Sequence, residues 1–137
     1  MGIPITVEVF ISAPREKIWE YWTEPEHIVK WNFASDDWCA PRATNDLWVG
    51  GKFNCRMEAK DGSVGFDFEG TYTEVEKFKK IGYEIIGGRK VNILFVPQEG
   101  GCKVEETFEA EGENPLEMQR NGWQSILDNF KKHVLEA

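Results

Sequence analysis

Histidine and cysteine are scarce in this chain of 137 residues, at two and three respectively. His27 and His133 lie far apart in sequence, at positions that read as helix surface. Cys39, Cys55 and Cys102 are widely spaced and form no CxxC pair. A zinc site is therefore not expected, and the odd cysteine count reads as free thiols in a reducing compartment. Long apolar runs are also missing: nothing approaches the ~18 residues needed to cross a membrane as a helix. The N-terminus Met1-Gly2-Ile3-Pro4 runs into a strand pattern without the apolar core of a signal peptide, so a cytoplasmic location is expected. No run of Lys or Arg exceeds two residues, and 24 acidic against 16 basic residues leave a net charge of −8. That balance disfavours nucleic acid and anionic membranes as partners. Catalytic signatures are absent as well. The chain has no GxSxG elbow and no GxGxxG, and Gly50-Gly51-Lys52 lacks the spacing of a phosphate loop and leads into a strand pattern. No cofactor is expected.

What is abundant is aromatic: six Trp and nine Phe. Trp is seldom fully buried, so these rings suit a cavity wall or an interface as well as a core. They fall within a regular pattern. Residues 5–11 alternate apolar and polar, which predicts a half-buried strand. After Ser12-Ala13-Pro14 the period becomes helical, with Ser12 or Ala13 expected at the cap and Ile18, Tyr21 and Trp22 on one side. Thr23 and Glu26 stand in capping-box register for a brief second helix running towards Trp31. From Asn32 to Asn45 the periodicity is lost, which predicts a long loop carrying Phe33 and Trp38. Alternation returns over 52–60 and 64–77, with Asp61-Gly62 as a two-residue hairpin turn. It recurs around Ile81-Tyr83-Ile85, Val91-Ile93-Phe95 and Val104-Phe108. Gly70 inside a strand suggests a bend or a close approach.

The last stretch, Asn114 to Ala137, differs from the rest. Leu116, Trp123, Ile126, Leu127, Phe130 and Val134 form one stripe at helical spacing. Asn114 is expected to cap it, with Pro115 first in the helix and Glu117 reaching back. The fold class is thus α+β: a curved antiparallel sheet wrapped around a long C-terminal helix, with two short helices after the first strand. One domain spans residues 1–137. Trp123 is expected to rank among the costliest positions to truncate, and Gly122 to permit close approach beside a cavity.

Two polar residues fall near this apolar framework. The period of two that sends Val104 and Phe108 inward sends Glu106 inward too. A carboxyl there would anchor a ligand or act as an acid or base. The plainer expectation is a frayed strand that leaves Glu106 in water. Gln119 lies one turn before Trp123, where its amide faces either a bound molecule or, more simply, backbone groups at the helix start.

Several segments together resemble a known family. They are Ser12 to Trp19, Trp22-Thr23-Glu24-Pro25-Glu26 with Trp31, and Leu47 to Phe53. Phe68-Glu69-Gly70-Thr71-Tyr72, Thr107-Phe108 and Gly122-Trp123 complete the set. In this order they are similar to the START-like (SRPBCC) superfamily. The nearest branch is the C-terminal domain of the activator of the ninety-kilodalton heat-shock protein's ATPase. The resemblance implies a helix-grip fold, usually seven-stranded, closing over a cavity. Its relatives include a co-chaperone domain, lipid and hormone carriers and polyketide cyclases. No catalytic residue of the family maps onto this chain, leaving Glu106 as a weak candidate. The expected function is binding of a small hydrophobic or aromatic molecule, contacted by Trp31, Phe33, Trp38, Met57, Phe68, Tyr72, Glu106, Gln119 and Trp123. The alternatives are a chaperone-accessory interaction domain and a cyclase-type enzyme. A monomer or weak dimer is expected.

Overall fold

The computed structural model describes residues 2–136. Met1 and the expected extension of the last helix to Ala137 lie outside the described residues. The chain runs β1 (Pro4–Ile11), α1 (Arg15–Thr23), α2 (Pro25–Trp31), β2 (Trp38–Asn45), β3 (Lys52–Ala59), β4 (Gly65–Glu76), β5 (Lys80–Ile85), β6 (Arg89–Gln98), β7 (Gly101–Glu109) and α3 (Leu116–Glu136). The strands form one seven-stranded sheet in the order β1-β7-β6-β5-β4-β3-β2, every neighbouring pair antiparallel. The sheet curls around α3, as the expected helix-grip architecture requires.

Alternation explains how sheet and helix meet. Ile5, Val7, Ile81, Tyr83, Val91, Ile93, Phe95, Val104 and Phe108 all face inward and are buried. Against them α3 sets Leu127, Phe130 and Val134, each without solvent exposure. A smaller cluster of Ala40, Cys55 and Met57 lies towards the β2 edge, and Ile28, Phe68 and Ile126 touch both clusters. Polar side chains of α3 also cover the free edge of β1. Arg120 Nη1 donates to the Thr6 carbonyl at 2.9 Å and Gln124 Nε2 to that of Glu8 at 3.1 Å. An edge strand with its carbonyls occupied is a poor template for a further strand.

Several local expectations change. The stretch read as a loop from Asn32 is a strand from Trp38 onward, because β2 pairs with β3 through a register shift between Cys39 and Arg42. Pro41 and that irregularity disrupt the alternation by which strands are read. The turn at Asp61-Gly62 is longer than two residues: Ala59 N–H reaches the Val64 carbonyl, and Asp61 Oδ1 accepts from Ser63 N–H. Neither short helix has a side-chain cap. Pro14 and Glu24 hold the N-cap positions, and Thr23 Oγ1 instead donates to the Trp19 carbonyl at 2.8 Å.

Helix α3 is not capped by a box of Asn114 and Glu117. Glu111 accepts from the backbone N–H of Asn114 (2.7 Å) and of Glu113 (3.2 Å). The Gln119 amide grips the same turn, accepting from Glu111 N–H and donating to the carbonyls of Glu111 and Asn114. These backbone bonds hold the Glu111 carboxyl below its ordinary range.

The two histidines, distant in sequence, meet where α2 packs on α3. His27 Nδ1 and His133 Nε2 lie 3.0 Å apart, with the Tyr21 ring stacked on His27. Partial burial, followed by the repulsion of His27, lowers the His133 pKa.

Gly70 fulfils its expected role of close approach. A Cβ there would lie 2.7 Å from the Glu84 carbonyl oxygen and 2.8 Å from the Phe53 ring. Gly70→Ala is expected to destabilise the fold by about 1–3 kcal/mol, the usual range for overpacking. Urea unfolding measures it, and a neutral result would mean that the Phe53 ring swings away freely. Gly122 behaves otherwise: a Cβ there meets nothing within 4 Å.

Candidate functional site

Between the two core clusters the sheet and helices leave a cavity of about 280 Å³. Its wall is built from strands that alternate inward and from one face of each covering helix. Strand β3 supplies Phe53, Cys55 and Met57, β4 supplies Phe66, Phe68 and Tyr72, and β5 supplies Tyr83. Glu106 projects from β7 and Arg89 from β6, while Trp22, Ile28, Trp31, Trp123 and Ile126 close the helical side.

The aromatic rings brace one another. Trp123 lies flat against Phe108 at 4.1 Å and 8°, and meets Phe68 edge-on at 6.2 Å. Phe53 contacts Phe68, Tyr72 and Tyr83. Trp31 donates its indole N–H to the Tyr21 carbonyl at 2.9 Å, which fixes its ring with an apolar face available. Such a wall is pre-formed, because each ring is held by neighbours on a different element. Binding against it orders few side chains.

The polar groups in this wall have different roles. Tyr72 donates its hydroxyl to Asn45 Oδ1, and Asn45 Nδ2 donates to the Thr23 carbonyl, tying β4, β2 and α1 together. Arg89 Nη1 is held by the Glu109 carbonyl at 2.9 Å. Glu106 is different. It is 5% exposed, so the expectation of a solvated carboxylate on a frayed strand is corrected. The strand does not fray, since Glu106 pairs with Val7 on one side and Ile93 on the other. Burial pushes its carboxyl up to about 8, because desolvation penalises the charged form and no cation offsets it. At neutral pH this group is chiefly a neutral acid, able to donate one hydrogen bond and to accept others. Burial likewise pushes the Cys55 thiol and the Tyr83 hydroxyl up.

Of the residues singled out from sequence, Trp31, Met57, Phe68, Tyr72, Glu106 and Trp123 line this one cavity. Three do not. Phe33 and Trp38 pack on the smaller core cluster, with Trp38 meeting Phe66 at 6.0 Å. Gln119 is occupied by the turn before α3. Trp22, Phe53 and Tyr83 were not singled out, although strand alternation already sends Phe53 and Tyr83 inward.

Similar proteins are clear at the level of family. The family model described as Activator of Hsp90 ATPase homolog 1-like protein matches residues 12–135. An AHSA1-like protein from Aeromonas hydrophila, solved in solution, is 43% identical, with a TM-score of 0.93 over 98% of this chain and 93% of its own. A protein from Cytophaga hutchinsonii is 48% identical, with a TM-score of 0.84 over 96% and 92%. A protein from Nitrosomonas europaea, at 19% identity and a TM-score of 0.84 over 98% and 95%, shares the fold. No curated protein matches significantly. With its sheet closed over one long helix and a family match across nearly its whole length, this chain belongs to the AHSA1-like family of START-like domains.

Proposed function

We propose that this domain binds a small hydrophobic or aromatic molecule in the cavity between the sheet and α3. One observation carries the reading: a preformed aromatic wall surrounds a buried carboxyl that no cation among the described residues neutralises. Binding sites for small molecules are mostly apolar with a few placed polar groups, the composition found here. Size narrows the choice. At about 280 Å³ the cavity lies near the lower end of the ~300–1,000 Å³ typical of ligand sites. It suits compact aromatic rings better than a whole sterol or a long acyl chain.

Tryptophan fluorescence and amide chemical shifts, followed while sterols, fatty acids, flavonoids and small polyketide-like phenols are added, test the proposal. Saturable shifts centred on Trp123, Phe68 and Glu106 are expected from the compact aromatics, with the sterols silent. Silence from every class would sink it.

A second reading, a chaperone-accessory interaction domain, rests on the family's description and on a surface feature. Ile3, Ile86 and Leu116 are exposed around one groove at the end of the sheet, Ile86 by 87%. Exposed apolar residues gathered in this way suit a protein partner. An ATPase assay with the ninety-kilodalton chaperone of the same cell decides it: a rate unchanged at saturating domain rejects this role.

A further inference from the structure

The cavity contains two hydroxyl-bearing groups that the fold does not use. Glu106 and Tyr83 are 5% and 6% exposed. Among the described residues neither the Glu106 carboxyl nor the Tyr83 hydroxyl has a hydrogen-bond partner. No fully sealed polar side-chain atom of the described residues lacks one, so these oxygens face the cavity that both residues line. The register brings them to one side of it. Glu106 pairs with Ile93, Ile93 with Ile81, and Tyr83 stands two residues along from Ile81 on the same face. They are close enough that ionising Glu106 would disfavour a tyrosinate at Tyr83. Tyr72 is no rival, because its hydroxyl is held by Asn45.

We propose that Glu106 and Tyr83 form a paired donor subsite for the carbonyl oxygen of a flat, otherwise apolar ligand. The inference rests on the cavity-binding reading above and names the ligand chemistry that the site selects. Each group has one O–H to give, and a carbonyl oxygen has two lone pairs to receive them. An apolar ligand would bury both donors unpaired, which is costly. A cationic ligand would have to ionise Glu106, whose burial disfavours the charged form.

Three probes of one shape separate these cases: tetralin, 1-tetralone and 1-aminotetralin, titrated by amide chemical shifts. In the wild type, 1-tetralone is expected to bind about tenfold tighter than tetralin at pH 7, the effect of two net hydrogen bonds. The preference should shrink severalfold in Glu106→Leu and in Tyr83→Phe and vanish in the double variant, in part because tetralin no longer buries the deleted donor unpaired. The other titratable or charged groups lining the cavity are Cys55, Tyr72, Tyr83 and Arg89. Burial pushes the thiol and both phenols up. Glu106 is therefore the group whose ionisation, at about 8, should erase the preference in alkali. Glu106→Gln retains an N–H donor and should keep part of the preference at every pH.

Equal affinity for tetralin and 1-tetralone would overturn the subsite but leave cavity binding intact. So would a lead for 1-aminotetralin that grows with pH. Failure of all three probes to bind would overturn both readings together.

Discussion

Phe130→Ala is expected to lower the unfolding free energy by about 3–5 kcal/mol, the range for emptying a fully buried aromatic site. Phe130 has no solvent exposure, and both Trp22 and Trp31 set their rings against it at 4.9 Å, near edge-on. Those three rings join α1, α2 and α3, so a cavity there cannot collapse without moving two helices. Urea unfolding at neutral pH should show a lower midpoint with an unchanged slope, meaning lost stability in a fold of the same compactness. A loss below about 1 kcal/mol would show that the helices close over the gap. Trp123, which the apolar stripe alone would rank first, is only half-buried because one side faces the cavity. Its truncation should cost less, about 1–3 kcal/mol. A larger loss than that of Phe130→Ala would mean the cavity wall bears more of the fold's stability than its core does.

Glu106→Gln should stabilise the protein in alkali by a few kcal/mol and change little near pH 4. The sign follows from linkage. The carboxyl titrates near its ordinary 4.5 when unfolded and at about 8 when folded. Between those values the folded state binds more protons than the unfolded state, so stability falls as pH rises. The penalty is absent below about 4.5 and complete above about 8. At 1.36 kcal/mol per unit its full size is of order 3–5 kcal/mol. Glutamine keeps the shape without the charge. The difference in unfolding free energy between variant and wild type should therefore open across this window. A constant difference from pH 4 to pH 9 would show that Glu106 is solvated in the folded protein. This trend is opposite to that of a salt-bridged carboxylate, because here burial acts alone.

Much of the fold follows from local periodicity. Alternation along β1 and β3 to β7, and the stripe from Trp123 to Val134, are properties of short segments. A curved sheet closed by one long helix follows from their order. The parity that sends Glu106 inward with Val104 and Phe108 is local too. Strand β2 escaped this reading because an edge strand with Pro41 and a shifted register carries a weak period. The caps escaped it because the acceptor for the N–H groups just before α3 is the Glu111 carboxyl, which a turn brings back to the helix start, where the Gln119 amide holds the same turn.

Tertiary packing decided the rest. Inward parity does not dehydrate a carboxyl. That required β1 and β6 to hold the strand on both sides while Trp123 lay flat on Phe108. Nor does aromatic content select which rings face empty space: Phe33 and Trp38 fill the smaller core cluster, while Trp22, Phe53 and Tyr83 join the cavity wall. His27 and His133 meet only because α2 docks on α3. The segments specified which side chains point inward. How far apart the sheet and helix stand is a sum over the whole core, and that separation made some inward side chains packing and left others facing a cavity.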